Sequence, residues 1–307
     1  MSIYLDRLKE IWHKYLLGEL LQAVEEINEL TLQITDDREL EEAELAVIYE
    51  AKGEILYAFE DKENALAAFN KSIPIRKKLL SGDFDIYMYI KSKTACIYAE
   101  LGNSKEALSL LEELSSITAS SFETKPSFNF LFFYNKSLAY SQLGRYGEAL
   151  AENGKALQLI KKLQEISGTL VKKLVADFIT QWGKILFSQG DVEQAYKCVN
   201  IGYDIRRNIY KMPHPDLIDS AIEIATISLS EHNFLRSIAE YSNAINLSKK
   251  VFGTEHKKTI ELIAKLKDAY QELHEFTEIA IAKDDRFVPG YWQRREATKA
   301  CFAEIEK

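Results

Sequence analysis

Residues 142–157 read QLGRYGEALAENGKAL and place three small residues at set distances within a helix-forming stretch: Gly144, Ala149 and Ala156. Residues 100–114 read ELGNSKEALSLLEEL and place Gly102 and Ala107 in the same way. The two glycines are 42 residues apart. A fixed spacing of this size predicts an internal repeat if further positions follow it.

The spacing extends over most of the chain. Seven equivalent positions, here called the turn positions, follow one another at steps of 42, 42, 42, 46, 42 and 42: Gly18, Glu60, Gly102, Gly144, Gly190, His232 and His274. Five residues after them lie mostly small residues: Ala23, Ala65, Ala107, Ala149, Ala195, Ser237 and Ile279. Seven residues before the five inner turn positions, every residue is small: Gly53, Ala95, Ser137, Gly183 and Ala225.

These columns predict pairs of antiparallel helices that cross closely. Small residues at matched positions let two backbones approach, while larger residues fill the space beside them. Glycine at the turn position permits the positive φ that ends the first helix. A single pair cannot bury its own apolar face, so neighbouring pairs must stack. We therefore predict units that start near residues 4, 46, 88, 130, 176, 218 and 260.

The columns resemble the tetratricopeptide repeat (TPR), most clearly at Phe133, Tyr140, Gly144, Tyr146 and Ala149. The family's usual repeat has about 34 residues. The longer repeat here, with linker segments MPHPDLIDSA and GTEHKKTIEL, is similar to that of kinesin light chains and of bacterial receptors for signalling peptides. The resemblance implies an all-α, right-handed superhelical solenoid of about seven helix-turn-helix repeats over residues 1–285. Residues 286–307 are predicted to form a C-terminal capping helix.

Composition predicts a cytoplasmic protein. The net charge of −8 does not favour nucleic-acid binding, and no apolar stretch is long enough for membrane insertion. Three separated cysteines predict reduced thiols, as in the cytosol. Because no catalytic motif is present, we predict that the protein is not an enzyme. His214 and His256 are 42 residues apart, as are His232 and His274, so the repeat explains them without a metal, and no cofactor is predicted.

The resemblance also implies that the first helix of each unit lines a concave groove. A polar column nine residues before the turn positions, with its neighbours, predicts a groove that holds an extended peptide. Side-chain amides such as Asn135 and Gln181 can pair with a peptide's N–H and C=O groups. The candidate residues are Lys93, Tyr134, Asn135, Thr180, Gln181, Lys184, Glu223 and Lys265.

Three functions stay open at this point. The first is a scaffold that binds a peptide segment of a partner protein in the groove. The second is a bacterial-type sensor of a small signalling peptide, although the first unit starts at about Tyr4 and leaves no room for the usual N-terminal effector domain. The third is self-association or a structural subunit, with an interface either on the convex second helices or at the C-terminal segment that contains Phe287, Tyr291 and Trp292.

Overall fold

The computed structural model describes residues 3–34, 40–116, 126–164, 169–210 and 213–282. Within these ranges the chain forms thirteen helices and no strand, which confirms the all-α prediction. The helices are Ile3–Leu17 (α1), Leu20–Gln33 (α2), Glu42–Ala58 (α3), Lys62–Lys78 (α4), Leu80–Glu100 (α5), Ser104–Ser115 (α6), Pro126–Gln142 (α7), Tyr146–Gln164 (α8), Thr169–Ser188 (α9), Val192–Ile209 (α10), Pro215–Ser230 (α11), Phe234–Val251 (α12) and Lys257–Ala282 (α13).

The chain divides into two compact units, Met1–Met212 and Pro213–Lys307. The first contains five helix-turn-helix pairs, from α1 and α2 to α9 and α10, and α5 packs along α7. The second contains the pair α11 and α12, with α13 packed on α12. The predicted capping helix at 286–307 and its aromatic residues lie outside the described residues, so the boundary between it and the solenoid stays a prediction.

Six turns share one backbone conformation. Gly18, Gly102, Gly144 and Gly190 all have positive φ, as the sequence predicts, and so do Glu60 and His232. Their φ values lie between 57° and 87°. A side chain is strained in this region because its Cβ crowds the backbone, so Glu60 and His232 hold a conformation that glycine adopts at lower cost.

The residue after each of these turn positions forms backbone hydrogen bonds with both helices of the pair. It donates its backbone N–H to the carbonyl five residues earlier at 2.8–3.0 Å, which closes the first helix. Its own carbonyl accepts the N–H of the small residue four positions later at 3.0–3.1 Å, which opens the second helix. At Asp61, Asp191 and Asn233 the side chain also accepts a backbone N–H and caps that helix.

The seventh predicted turn, at His274, is wrong. Helix α13 runs without interruption from Lys257 to Ala282. Each of the six observed turns has glycine at the turn position, or Asp or Asn directly after it, or both. His274 is followed by Glu275 and has neither feature, so nothing in the local sequence stops the helix.

The small-residue columns lie where paired helices cross. In the six turn-containing pairs, the residue five positions after the turn is fully buried, from Ala23 to Ser237. At Gly53 an added Cβ would lie 2.7 Å from the ring of Phe69, which fills the crossing of α3 and α4. Glycine is therefore required there by the approach of a neighbouring side chain.

One core column contains an unexpected amide. Nine residues after the turns, five pairs bury large apolar or aromatic side chains: Ile27, Phe69, Leu111, Val199 and Tyr241. The pair of α7 and α8 buries Asn153 instead. Within the described part of the chain, neither polar atom of the Asn153 amide has a hydrogen-bond partner, and neither does the hydroxyl of Ser137 on α7. The loss of their hydration is thus uncompensated by protein groups and weakens this pair.

Replacing Glu60 by glycine should raise the free energy of unfolding by about 1 kcal/mol, because the strain of a side chain at positive φ is removed. Gly102→Ala is the reciprocal variant. Open space surrounds the added Cβ of Gly102, so only its backbone conformation is tested, and a loss of about 1 kcal/mol is expected. Urea unfolding followed by circular dichroism measures both changes. Two neutral substitutions would contradict a left-handed turn.

Asn153→Leu should raise the free energy of unfolding by about 1–2 kcal/mol, since a buried amide without a protein partner gives way to an apolar side chain. Leu111→Asn, at the equivalent position of the preceding pair, should lower it by about 3 kcal/mol. Thermal unfolding provides the measurement. A lower stability of Asn153→Leu would indicate that buried water bonds the amide.

Candidate functional site

The first helices of the five pairs in the first compact unit, α1, α3, α5, α7 and α9, form one surface. Contacts join α1 to α3, α5 to α7 and α7 to α9, and side chains bridge α3 to α5. We call this surface the first-helix face. Its half-buried polar and aromatic side chains include Glu54, Tyr57, Tyr89, Lys93, Tyr134, Asp177 and Lys184.

Two tyrosine–carboxylate hydrogen bonds join α3 to α5. The hydroxyl of Tyr89 donates to Glu54 Oε1 at 2.5 Å, and that of Tyr57 donates to Glu100 Oε1 at 2.8 Å. Burial, and then the neighbouring carboxylate, raise the pKa of both tyrosines, so both keep their protons. Lys93 Nζ lies 3.8 Å from the ring centroid of Tyr57 and 3.6 Å from Glu54 Oε2. The lysine thus combines a cation–π contact with an ion pair.

A second group of charges lies where α7, α9 and α10 meet. Asp177 Oδ1 accepts a hydrogen bond from Arg206 Nη2 at 2.7 Å, and Asp177 Oδ2 accepts one from Lys173 Nζ at 3.0 Å. Arg206 is buried, so its charge is held close to the carboxylate in a poorly hydrated setting. The ring of Tyr134 stacks on Phe130 with centroids 5.9 Å apart, and Phe130 packs against Phe178 of α9.

The structure separates the predicted site residues into three groups. Lys93, Tyr134 and Lys184 lie half-buried on the first-helix face. Glu223 of α11, which is half-buried, and Lys265 of α13, which is exposed, belong to the second compact unit. Asn135, Thr180 and Gln181 are only 2%, 5% and 2% exposed. The expectation of a solvent-facing polar column is therefore wrong at these three positions.

Asn135 and Thr180 contact neighbouring helices instead of solvent. Asn135 Nδ2 donates to Ser92 Oγ at 3.1 Å and links α7 to α5. Thr180 lies at the crossing of α9 and α10, where an added Cβ on Gly202 would be 2.2 Å from Thr180 Oγ1. The polar residues in this column had predicted exposure to solvent. A buried side chain can also be polar when it is hydrogen-bonded to a neighbouring helix or packed at a close helix crossing.

Sequence reasoning did not predict the hydrogen-bonded pairs of this face, such as Tyr57 with Glu100. One signal could have found some of them. Tyr57 and Glu100 are 43 positions apart, and so are Ser92 and Asn135. Polar residues separated by one repeat plus one position therefore meet on neighbouring first helices.

The histidines at repeat spacing have structural roles. His214 Nδ1 accepts the backbone N–H of Asp216 at 3.2 Å at the start of α11, and His256 Nδ1 accepts that of Lys258 at 3.2 Å at the start of α13. Within the described ranges, no group of three or more His, Cys, Asp or Glu residues is placed to hold a metal ion. Burial raises the pKa of Cys96 and of Cys198, which disfavours a reactive thiolate at either.

Within the ranges that the structure describes, no helix combines enough length with enough apolar character to span a bilayer.

Residues 132–163, which span most of α7 and α8, match the family model described as tetratricopeptide repeat. This match falls on the unit in which the sequence columns fit the TPR pattern best, and the helix pairs repeat the same turn on both sides of it. No curated protein matches the sequence.

Two solved structures resemble the fold of this chain over nearly its whole length. NprR, determined in complex with its cognate peptide NprX, is 13% identical, with a TM-score of 0.61 over 99% of this chain and 88% of that one. A Rap protein complexed with Competence and Sporulation Factor is 13% identical, with a TM-score of 0.54 over 98% and 99%. A putative kinesin light chain with TPR-like repeats from Podosopora anserina is 17% identical, with a TM-score of 0.48 over 70% and 94%.

Gly202→Ala should lower the free energy of unfolding by about 2 kcal/mol or more, because the new methyl group overlaps Thr180 and lies 3.1 Å from the carbonyl oxygen of Ala176. Gly154→Ala is the matched control within helix α8. Nothing lies within 4 Å of its added Cβ, so a gain of about 1 kcal/mol from helix propensity is expected. Urea unfolding of the two variants tests the close crossing, and equal effects would contradict it.

Proposed function

We propose that the protein is a non-enzymatic interaction scaffold that binds a peptide segment of a partner protein on its first-helix face. The observation that carries this proposal is the character of that face. The helix crossings are filled by small and apolar residues, whereas the first-helix face carries half-buried aromatic and charged side chains. Half-buried tyrosines and lysines combine apolar contact area with polar groups, as peptide-binding surfaces require.

The same face is held in place before any ligand binds. The bonds of Tyr57 and Tyr89 to carboxylates of the neighbouring helix fix both rings, and Lys93 is held between Glu54 and Tyr57. A fixed surface loses little side-chain entropy when a ligand binds. This supports recognition of an extended segment by Lys93, Tyr134 and Lys184 without a large rearrangement.

The proposal also includes the class of partner and the location of the protein. The net charge of −8 supports a protein or peptide partner and opposes nucleic-acid binding. A cytoplasmic location accords with three cysteines, of which Cys96 and Cys198 are free thiols. Self-association through the C-terminal aromatic residues is a separate proposal, to be tested by mass measurement at several protein concentrations.

A second candidate function is a sensor of a small signalling peptide. It is favoured by the whole-length likeness to NprR, solved with its cognate peptide NprX, and to a Rap protein, solved with Competence and Sporulation Factor. A sensor should become more compact on binding. Small-angle scattering of the intact chain with and without a pool of short peptides separates a sensor from a scaffold, whose dimensions should stay constant.

The scaffold is tested by the double variant Lys93→Met/Lys184→Met, which keeps side-chain length and removes two charges from the first-helix face. The probe is a random-sequence pool of twelve-residue peptides, from which binders of the intact wild-type chain are selected. We expect their affinity to fall about tenfold in the variant, as measured by fluorescence anisotropy.

The matched control is Lys155→Met/Lys197→Met. It removes two lysines from the second helices α8 and α10, where their side chains are 50% and 54% exposed. This variant should bind like wild type. Equal losses in both double variants, or no peptide bound by the wild type, would contradict the proposed function.

A further inference from the structure

We propose that Lys52 and Lys71 bind a carboxylate group in the space between the second helices α2 and α4. Lys52 belongs to α3, but its ammonium group bonds to Thr31 of α2, and Lys71 belongs to α4. The site is therefore separate from the side chains of the first-helix face. It does not depend on the proposed function.

The pair of α7 and α8 contains the complete form of this arrangement. Lys136 lies eight residues before the turn position Gly144, and Lys155 lies eleven residues after it. Glu152 Oε1 lies 3.1 Å from Lys136 Nζ and 3.0 Å from Lys155 Nζ. A single carboxylate oxygen thus bridges the two ammonium groups.

The pair of α3 and α4 repeats the two lysines without the carboxylate. Lys52 lies eight residues before the turn position Glu60, and Lys71 lies eleven residues after it. The position equivalent to Glu152 is occupied by Ala68, which is 4% exposed. Two ammonium groups are therefore placed as in the complete form, and the bridging carboxylate is replaced by a methyl group.

The lysines of α3 and α7 have matching surroundings. Lys52 Nζ donates to Thr31 Oγ1 at 2.8 Å. Lys136 Nζ donates to Ser115 Oγ at 3.0 Å. In both cases the acceptor is a hydroxyl on the second helix of the preceding pair, so the two ammonium groups are held at equivalent places.

The lysines of α4 and α8 match in the same way. Lys71 Nζ lies 5.1 Å from the ring centroid of Tyr49 on α3. Lys155 Nζ lies 5.4 Å from the ring centroid of Phe133 on α7. Both aromatic residues lie eleven positions before their turn, and each draws its lysine towards the first helix by a cation–π contact.

The charges of Lys52 and Lys71 are not neutralised by a neighbouring carboxylate. Within the part of the chain that the structure describes, neither lysine forms an ion pair. Burial first, and the charge of Lys71 second, lower the pKa of Lys52, and the charge of Asp61 opposes them from a greater distance. A carboxylate bound between the two lysines would relieve their mutual repulsion.

The site is open to a ligand from solution. Lys71 is exposed and Lys52 is half-buried, so one lysine can meet a ligand at the surface and the other can hold it where hydration is reduced. The carboxylate of Glu152 in the complete form indicates the chemical class of this ligand. The carboxylate can be a small ion or an acidic side chain of a partner protein.

The test titrates the intact chain, labelled with ¹³C at the lysine ε carbons, with sodium acetate at constant ionic strength. We expect saturable shifts of the Lys52 and Lys71 signals and a higher pKa of Lys52 in the bound state. Lys136 and Lys155 are the matched control, since Glu152 already bridges them, and their signals should not saturate.

A second titration assigns the source of the carboxylate. Its probe is the acetylated and amidated tripeptide Gly-Glu-Gly. Binding about tenfold tighter than that of acetate assigns an acidic side chain of a partner, and equal affinity assigns a small carboxylate ion.

Two variants exchange the two forms of the arrangement. Ala68→Glu supplies the carboxylate from the chain itself, so it should raise the pKa of Lys52 and abolish acetate binding there. Ala68→Gln, without the charge, should leave the pKa of Lys52 low. Glu152→Ala should create a second acetate site at Lys136 and Lys155.

No saturable shift at Lys52 in the wild type, or an equal shift at Lys136, would overturn this site. Neither result affects the proposed function, because peptide binding is measured on the first-helix face with other variants.

Discussion

The reversal of the chain at a single left-handed residue determines the rest of the structure. At six positions this residue ends one helix, and the next residue both completes the closing hydrogen bond and begins the second helix. No other residue separates the two events. Because the turn is so short, the two helices must cross close to it, and this requires small residues five positions later. The spacing of the small-residue columns is thus a geometric result of the turn.

Close crossing also decides where charges can be buried. Arg76 of α4 forms two hydrogen bonds with Glu50 of α3, at 2.6 and 2.8 Å, and Arg206 of α10 bonds to Asp177 of α9. Both arginines lie sixteen residues after their turn positions, beyond the tightest part of the crossing. There the helices leave space for a long side chain whose guanidinium donates to a carboxylate of the facing helix. These two helix pairs, α3 with α4 and α9 with α10, are therefore also held together at the end distant from the turn.

The sequence alone predicted the helix pairs and the positive φ of Gly144 and its equivalents, because both follow from local steric rules. It failed at His274, where the repeat spacing continued but the chemistry of a turn was missing. It also failed at Asn135 and Gln181, since a polar residue in a column does not reveal whether solvent or a neighbouring unit surrounds it. The bond between Asn135 and Ser92 depends on how two units stack, and that geometry is absent from a single repeat.

Each turn is also complete in itself. All the backbone hydrogen bonds that close it come from a segment of about ten residues, such as Tyr140 to Ala149, and none comes from another repeat. A gene segment that is duplicated or deleted between two equivalent turns would consequently join two intact halves of the same motif. Chains with more or fewer units can therefore arise by recombination without a new turn having to evolve, and the surface available to partners lengthens or shortens by whole units.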